Sequence, residues 1–235
     1  MDPKRQSVVD DIEVLQGQLD AAMALRRQGL APRALPALES LVDRLARSRD
    51  PEAPTVLQAA RNELALAYRE LRRPERAREV WMQCLAVLEV RHGSRPHAER
   101  GQVLLGLGTV TRELADLAAA ERYGRRGLAE WTSLRDGEDA DVAIAKATLG
   151  AALLAQGRLA DAEALLIAAV GTAEVLGAEL AIVHTLTHVG ALALRRSDVE
   201  GARGSFTRAL KLARKHFPES APEVRDLVAS LARLG

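Results

Sequence analysis

A small residue followed twelve positions later by alanine recurs five times in this 235-residue chain: Ala22/Ala34, Ala65/Ala77, Gly108/Ala120, Gly150/Ala162 and Gly190/Ala202. Successive pairs are 43, 43, 42 and 40 residues apart. The offset inside a unit is invariant and the offset between units drifts. That combination marks rigid helical hairpins joined by adjustable loops. Each hairpin buries its apolar face by stacking on the next, so the period specifies a repeat array.

The rest of the composition agrees. Apolar residues make up 48 % of the chain but aromatics only 3 %, so the core is built from Ala, Leu and Val. Ala and Leu carry the lowest helix cost. With 33 basic and 32 acidic residues the net charge is +1, without the basic bias of a nucleic-acid or membrane-surface protein. One cysteine forms no internal disulfide. Residues 1–6 lead into acidic residues and not into an apolar signal core, and no apolar run approaches the roughly 20 residues of a membrane span. The expectation is a soluble, cytoplasmic protein.

Each unit reads as two helices with a polar break. In the second, Leu64, Ala65 and Tyr68 share one stripe, Pro74 opens the next helix, and Ala77, Trp81, Cys84 and Leu85 form its buried stripe. Units three, four and five repeat this around Leu107/Ala120, Leu153/Leu166 and Leu186/Phe206. The first unit is weaker, with Pro36 expected in the first turn of its second helix. Residues 222–231 read as a lone capping helix. The expected units are 8–49, 54–92, 97–134, 139–177 and 179–216, with the cap at 220–234, all in one domain of 8–235.

Asn62-Glu63-Leu64-Ala65-Leu66-Ala67-Tyr68, Gln156-Gly157-Arg158-Leu159-Ala160-Asp161-Ala162, Ala209-Leu210 and the link Arg91-His92-Gly93-Ser94-Arg95-Pro96-His97 resemble tetratricopeptide repeats. The likeness is to the long form of about 42 residues typified by kinesin light chain. It covers residues 12 to 232 and implies an all-α, right-handed α-solenoid of five helical hairpins with a C-terminal capping helix, a bent rod that binds proteins. The chain departs from the family in having a single asparagine, Asn62, where light-chain grooves carry a series.

In such arrays the first helix of each hairpin lines the concave face. The residues expected there include Leu19 and Met23 in unit one, and the proposed partner-binding set is Arg26, Asn62, Arg69, Gln102, Arg112, Ile144, Ala151, Leu154, His184 and Arg195. Arg26, Arg69, Arg112 and Arg195 fall near the end of the first helix in four units, a column suited to bidentate bonds with carboxylates. The alternative is that they are solvated at negative helix ends. Ile144, Ala147, Ala151 and Leu154 form an apolar floor; its alternatives are a protein contact or burial by the superhelix closing on itself. A partner helix or strand with an apolar face and acidic flanks fits both features.

No chemistry assembles elsewhere. His184 and His188 have metal-ligand spacing but lack a third ligand. The acidic link Asp136 to Asp141 lacks the ligand alternation of a calcium loop. Gly106-Leu107-Gly108 lies inside a helix and is not a phosphate loop, and Cys84 sits on a buried stripe. The expectations are therefore no enzyme activity, no cofactor and no metal. The functional reading is an adaptor or scaffold for another protein or peptide. Its rivals are a peptide sensor that changes curvature and a docking subunit of a separate enzyme. Trp81 or Trp131 on an outer face would support a homo-oligomer.

Overall fold

The computed structural model describes residues 12–135 and 139–235. The expected start of unit one at residue 8, residues 1–6 and positions 136–138 of the acidic link lie outside the described residues. Within them every regular element is an α-helix: α1 (Ile12–Arg27), α2 (Ala31–Arg47), α3 (Ala53–Glu70), α4 (Pro74–His92), α5 (Ala98–Glu113), α6 (Leu117–Leu134), α7 (Ala140–Ala155), α8 (Leu159–Val175), α9 (Glu179–Arg195), α10 (Val199–His216) and α11 (Pro222–Ala232).

Five hairpins, α1/α2 to α9/α10, stack in order. The first helices α1, α3, α5, α7 and α9 also touch one another along the array, whereas no two second helices share a comparable interface. Inner helices held close and outer helices fanned apart make a curved α-solenoid with the first helices on its inside. The last helix, α11, packs on α10 and buries Val224 and Leu227, which covers the open end of the fifth hairpin.

The turn inside each hairpin follows one recipe. Seven residues after each small residue, the backbone enters the left-handed region: Gly29 (φ 75), Arg72 (φ 56), Ala115 (φ 61), Gly157 (φ 81) and Ser197 (φ 64). The following N–H then donates to the carbonyl five residues back, as in Arg73 to Tyr68 at 2.9 Å and Asp198 to Ala193 at 2.9 Å. This is the Schellman closure, which satisfies carbonyls that a helix end would otherwise leave bare. The second helices start at once. Asp116 and Asp198 accept from the N–H groups of Ala119 and Gly201 at 3.1 and 2.9 Å, and Pro74 supplies a first-turn position that needs no N–H.

The small-residue pairs all lie in the core. A Cβ at Gly108 would meet Gly124 N at 3.4 Å and Ala120 O at 3.5 Å, so the α5/α6 backbones approach closely. At Gly190 the close neighbour is a ring: a Cβ there would stand 2.5 Å from Phe206 Cε1. Cys84 is fully buried, and burial pushes its thiol up to about 12.

Three expectations need correction. Trp81 and Trp131 are core residues, 1 % and 2 % exposed, and neither offers an oligomer surface. Their indoles fill room left by glycines of α5, since a Cβ at Gly106 would stand 2.6 Å from Trp81 and one at Gly101 would stand 2.7 Å from Trp131. Leu19, placed on the concave stripe, is buried in the core. Pro36 lies in the second turn of α2, because that helix begins at Ala31 and already carries Pro32 in its first turn.

The solenoid is also more closed than a bent rod. Ser220 Oγ, just before α11, donates to the carbonyl of Gln28 in the α1–α2 turn at 2.8 Å. Arg72, in the α3–α4 turn, pairs with Asp226 of α11 at 2.9 Å. A Cβ at Gly29 would stand 2.4 Å from the Ser220 carbonyl oxygen. The first two units therefore meet the C-terminal helix across the superhelix.

Candidate functional site

Curvature of the inner helices encloses a cavity of about 580 Å³ on the concave side. It runs from Met23 and Arg27 of α1, past Asn62, Leu66 and Arg69 of α3 and Gln102, Leu105 and Thr109 of α5, to Ile144 of α7 and His184 of α9. The indoles of Trp81 and Trp131 reach its floor through the glycine gaps in α5. Of the ten residues assigned to partner binding, Asn62, Arg69, Gln102, Ile144 and His184 line this cavity. Asn62 Oδ1 is taken by the indole N–H of Trp81 at 2.9 Å. That bond orients the asparagine and leaves its NH₂ as the group available to a ligand.

Of the arginine column, Arg26 and Arg69 are already paired, whereas Arg112 and Arg195 have no partner among the described residues. Arg26 pairs with Glu63 at 2.7 Å and with Glu70, both in the next unit. Burial lowers the pKa of this guanidinium, but Glu63 and Glu70 outweigh that and hold it above its ordinary value. Arg69 pairs in the same direction with Glu113 at 3.5 Å. Each arginine thus reaches forward 44 residues to a glutamate one step along the solenoid, and those glutamates belong to a ladder between units.

The third rung is missing. In unit four the position of Glu70 and Glu113 is occupied by Ala155, and Arg112 has no carboxylate or hydrogen-bond partner among the described residues. Burial, then the neighbouring Arg69, pulls the Arg112 guanidinium below its ordinary pKa, although Glu113 opposes the shift. His184 and His188 of α9 sit in the same electrostatic neighbourhood. Burial, then Arg69 and Arg112, lowers His184 to about 4. Burial, then His184, Arg112 and Arg69, takes His188 well below its usual value. Both rings are therefore neutral at pH 7. Their planes meet edge to face with centroids 5.0 Å apart, and His184 Nδ1 is buried without a partner. Arg69, Arg112 and these two imidazoles form a donor-rich wall matched to an anionic group.

Four assigned residues fall elsewhere. Arg26 is consumed by the ladder. Arg195 is exposed and occupies the glutamate register of unit five, outside the cavity lining. Ala151 and Leu154 are buried, 5 % and 6 % exposed, as is Ala147. Leu154 and Ala147 share a core cluster with Leu192 of α9, against which Val189 and Ala191 also pack. The apolar floor is therefore the seam between α7 and α9, and Ile144 alone of that row stays half-exposed on the cavity. Sequence reasoning missed Glu63, the lining indoles and His188. The recoverable signal was the forward spacing from arginine to glutamate, repeated once and then broken at Ala155.

Residues 57–99 and 142–179 match the tetratricopeptide repeat family model. Comparison with curated proteins gives no match. Among solved structures, BtubC (BKLC) from P. vanneervenii is similar with a TM-score of 0.67 at 18 % identity, over 86 % of this chain and 81 % of that one. A putative kinesin light chain with nearly identical repeats from Podosopora anserina gives 0.65 at 20 % identity, over 86 % and 95 %. The apo quorum sensor NprR from B. thuringiensis gives 0.58 at 11 % identity, over 97 % and 61 %. Residues 57–99 and 142–179 thus match tetratricopeptide repeats, and the five hairpins share the α-solenoid fold of kinesin-light-chain-like repeat structures.

Proposed function

We propose that the chain acts as a single-domain scaffold, spanning 8–235, that seats a segment of another protein in the concave cavity. The segment presents apolar side chains to Leu66, Leu105 and Ile144 and an acidic side chain to Arg112. In this reading the chain binds and does not catalyse. One observation carries it: the ladder supplies Arg26 and Arg69 with ion pairs from within the chain, whereas Arg112, outside the cavity lining but close enough to act on the lining residue His184, makes no ion pair among the described residues. A half-buried cation without a counter-ion is costly, and an incoming carboxylate removes that cost. The groove is preformed by packed helices, so the array loses little freedom on binding.

Completing the missing rung tests this. Ala155→Glu gives Arg112 an internal partner and should abolish co-purification of the native partner while leaving the helical content intact. Arg112→Ala should weaken the same partner by about tenfold to a hundredfold, the usual loss for a charged hydrogen bond. A partner retained unchanged by both variants overturns the reading.

The contacts of Ser220 with Gln28 and of Arg72 with Asp226 favour a second reading, a sensor whose curvature changes with its ligand. Under it, bound peptide shifts the scattering radius; a scaffold keeps the radius of the free protein.

A further inference from the structure

Away from the arginine ladder, the link between α4 and α5 brings together three metal-type donors. His92 ends α4, His97 caps α5, and Glu99 lies in the first turn of α5. One donor atom from each of these side chains lies within 4.8 Å of the others. The two imidazoles stack face to face, with centroids 3.7 Å apart and planes 12° from parallel. His92 Nε2 and His97 Nδ1 are both buried and have no hydrogen-bond partner. Two buried, unpaired nitrogens side by side are an anomaly in a folded chain, where such atoms are nearly always satisfied.

We propose that His92, His97 and Glu99 form a divalent transition-metal site, with zinc the ion of best fit. Two imidazoles and one carboxylate are a zinc donor set that leaves the fourth tetrahedral position to water or to a bound partner. The parallel rings point their nitrogens alongside each other and not at a common centre. The torsion that turns a histidine ring is soft, so small rotations bring both lone pairs onto one ion. Arg100, also in the first turn of α5, is already held by Glu130 and by the carbonyls of Gly93 and Arg95 at 2.6 and 2.7 Å. Since Glu99 also lines the concave cavity, the ion would sit at its rim and clamp units two and three together.

Titration of tag-free protein with zinc chloride by calorimetry, with the melting temperature followed in parallel, tests this. The expected result is one ion per chain and a rise in melting temperature. His97→Ala and Glu99→Gln should each weaken binding by at least the roughly 10–100-fold that loss of an outer-shell partner costs. The melting temperature of metal-free Glu99→Gln should match the parent, which separates a lost ligand from a damaged fold. No zinc binding by the parent, or equal binding by both variants, overturns the proposal.

Discussion

At the scale of single residues, the left-handed position in each hairpin turn is the sharpest constraint. Glycine fills it in units one and four, but Arg72, Ala115 and Ser197 hold the same conformation at a cost of about 1 kcal/mol each. Ala115→Gly should therefore stabilise the fold by up to about 1 kcal/mol, and Gly157→Ala should destabilise it by a similar amount, although no atom lies within 4 Å of the added methyl. Paired thermal melts check both. The buried histidines set a pH dependence. The folded pKa of His184 is about 4 against an ordinary 6.5, so between those values the unfolded chain binds more protons. The His184 contribution should be full above pH 6.5 and fall by about 3 kcal/mol towards pH 4, with His188 adding to the fall in the same direction. His184→Gln should reduce that slope in denaturant titrations. The twelve-residue pairing was legible at this scale because it records contact between adjacent helices. The neutral histidines were not, since their burial, and after it the approach of Arg69 and Arg112, arises from packing between units.

At the scale of elements, the glycine-to-alanine contacts differ where the sequence makes them look alike. Gly108→Ala meets only ordinary contacts and gains helix propensity, so it should be neutral or stabilising by about 0.5–1 kcal/mol. Gly190→Ala drives a methyl into the Phe206 ring and should cost about 1–3 kcal/mol. Equal effects in urea unfolding would refute the distinction. Pro36 removes an N–H from the second turn of α2 and is exposed, so Pro36→Ala should stabilise by about 1–3 kcal/mol. The helices themselves were legible from period and breakers. The start of α2 was not, because Pro32 and Pro36 both resemble first-turn prolines and only one can be. Nor was the face of α7 legible. That helix buries Ala147, Ala151 and Leu154 on one face and Leu149 and Leu153 on the opposite one, so periodicity gives no inward side, and its contact with α9 decides which residues are lost to solvent.

At the scale of the molecule, the concave cavity followed from the repeat pattern, but its closure did not. The residues that close it, Gln28 with Ser220 and Arg72 with Asp226, are separated by 192 and 154 positions and belong to no motif. Arg72→Glu places an acid against Asp226 and should enlarge the scattering radius, while changing stability by no more than about 1 kcal/mol because the pair is exposed. The exchange Arg72→Glu with Asp226→Arg should return the radius to its starting value. A radius indifferent to both variants would show that the pair does not hold the ring together.

An open row of repeats frays from its ends, since a terminal unit has one neighbour. Here the turn of the first hairpin leans on the segment that begins the last helix. The outermost units each gain a second support, and the amides of α1, α2 and α11 should exchange with deuterium as one cooperative group, not as two independent ends.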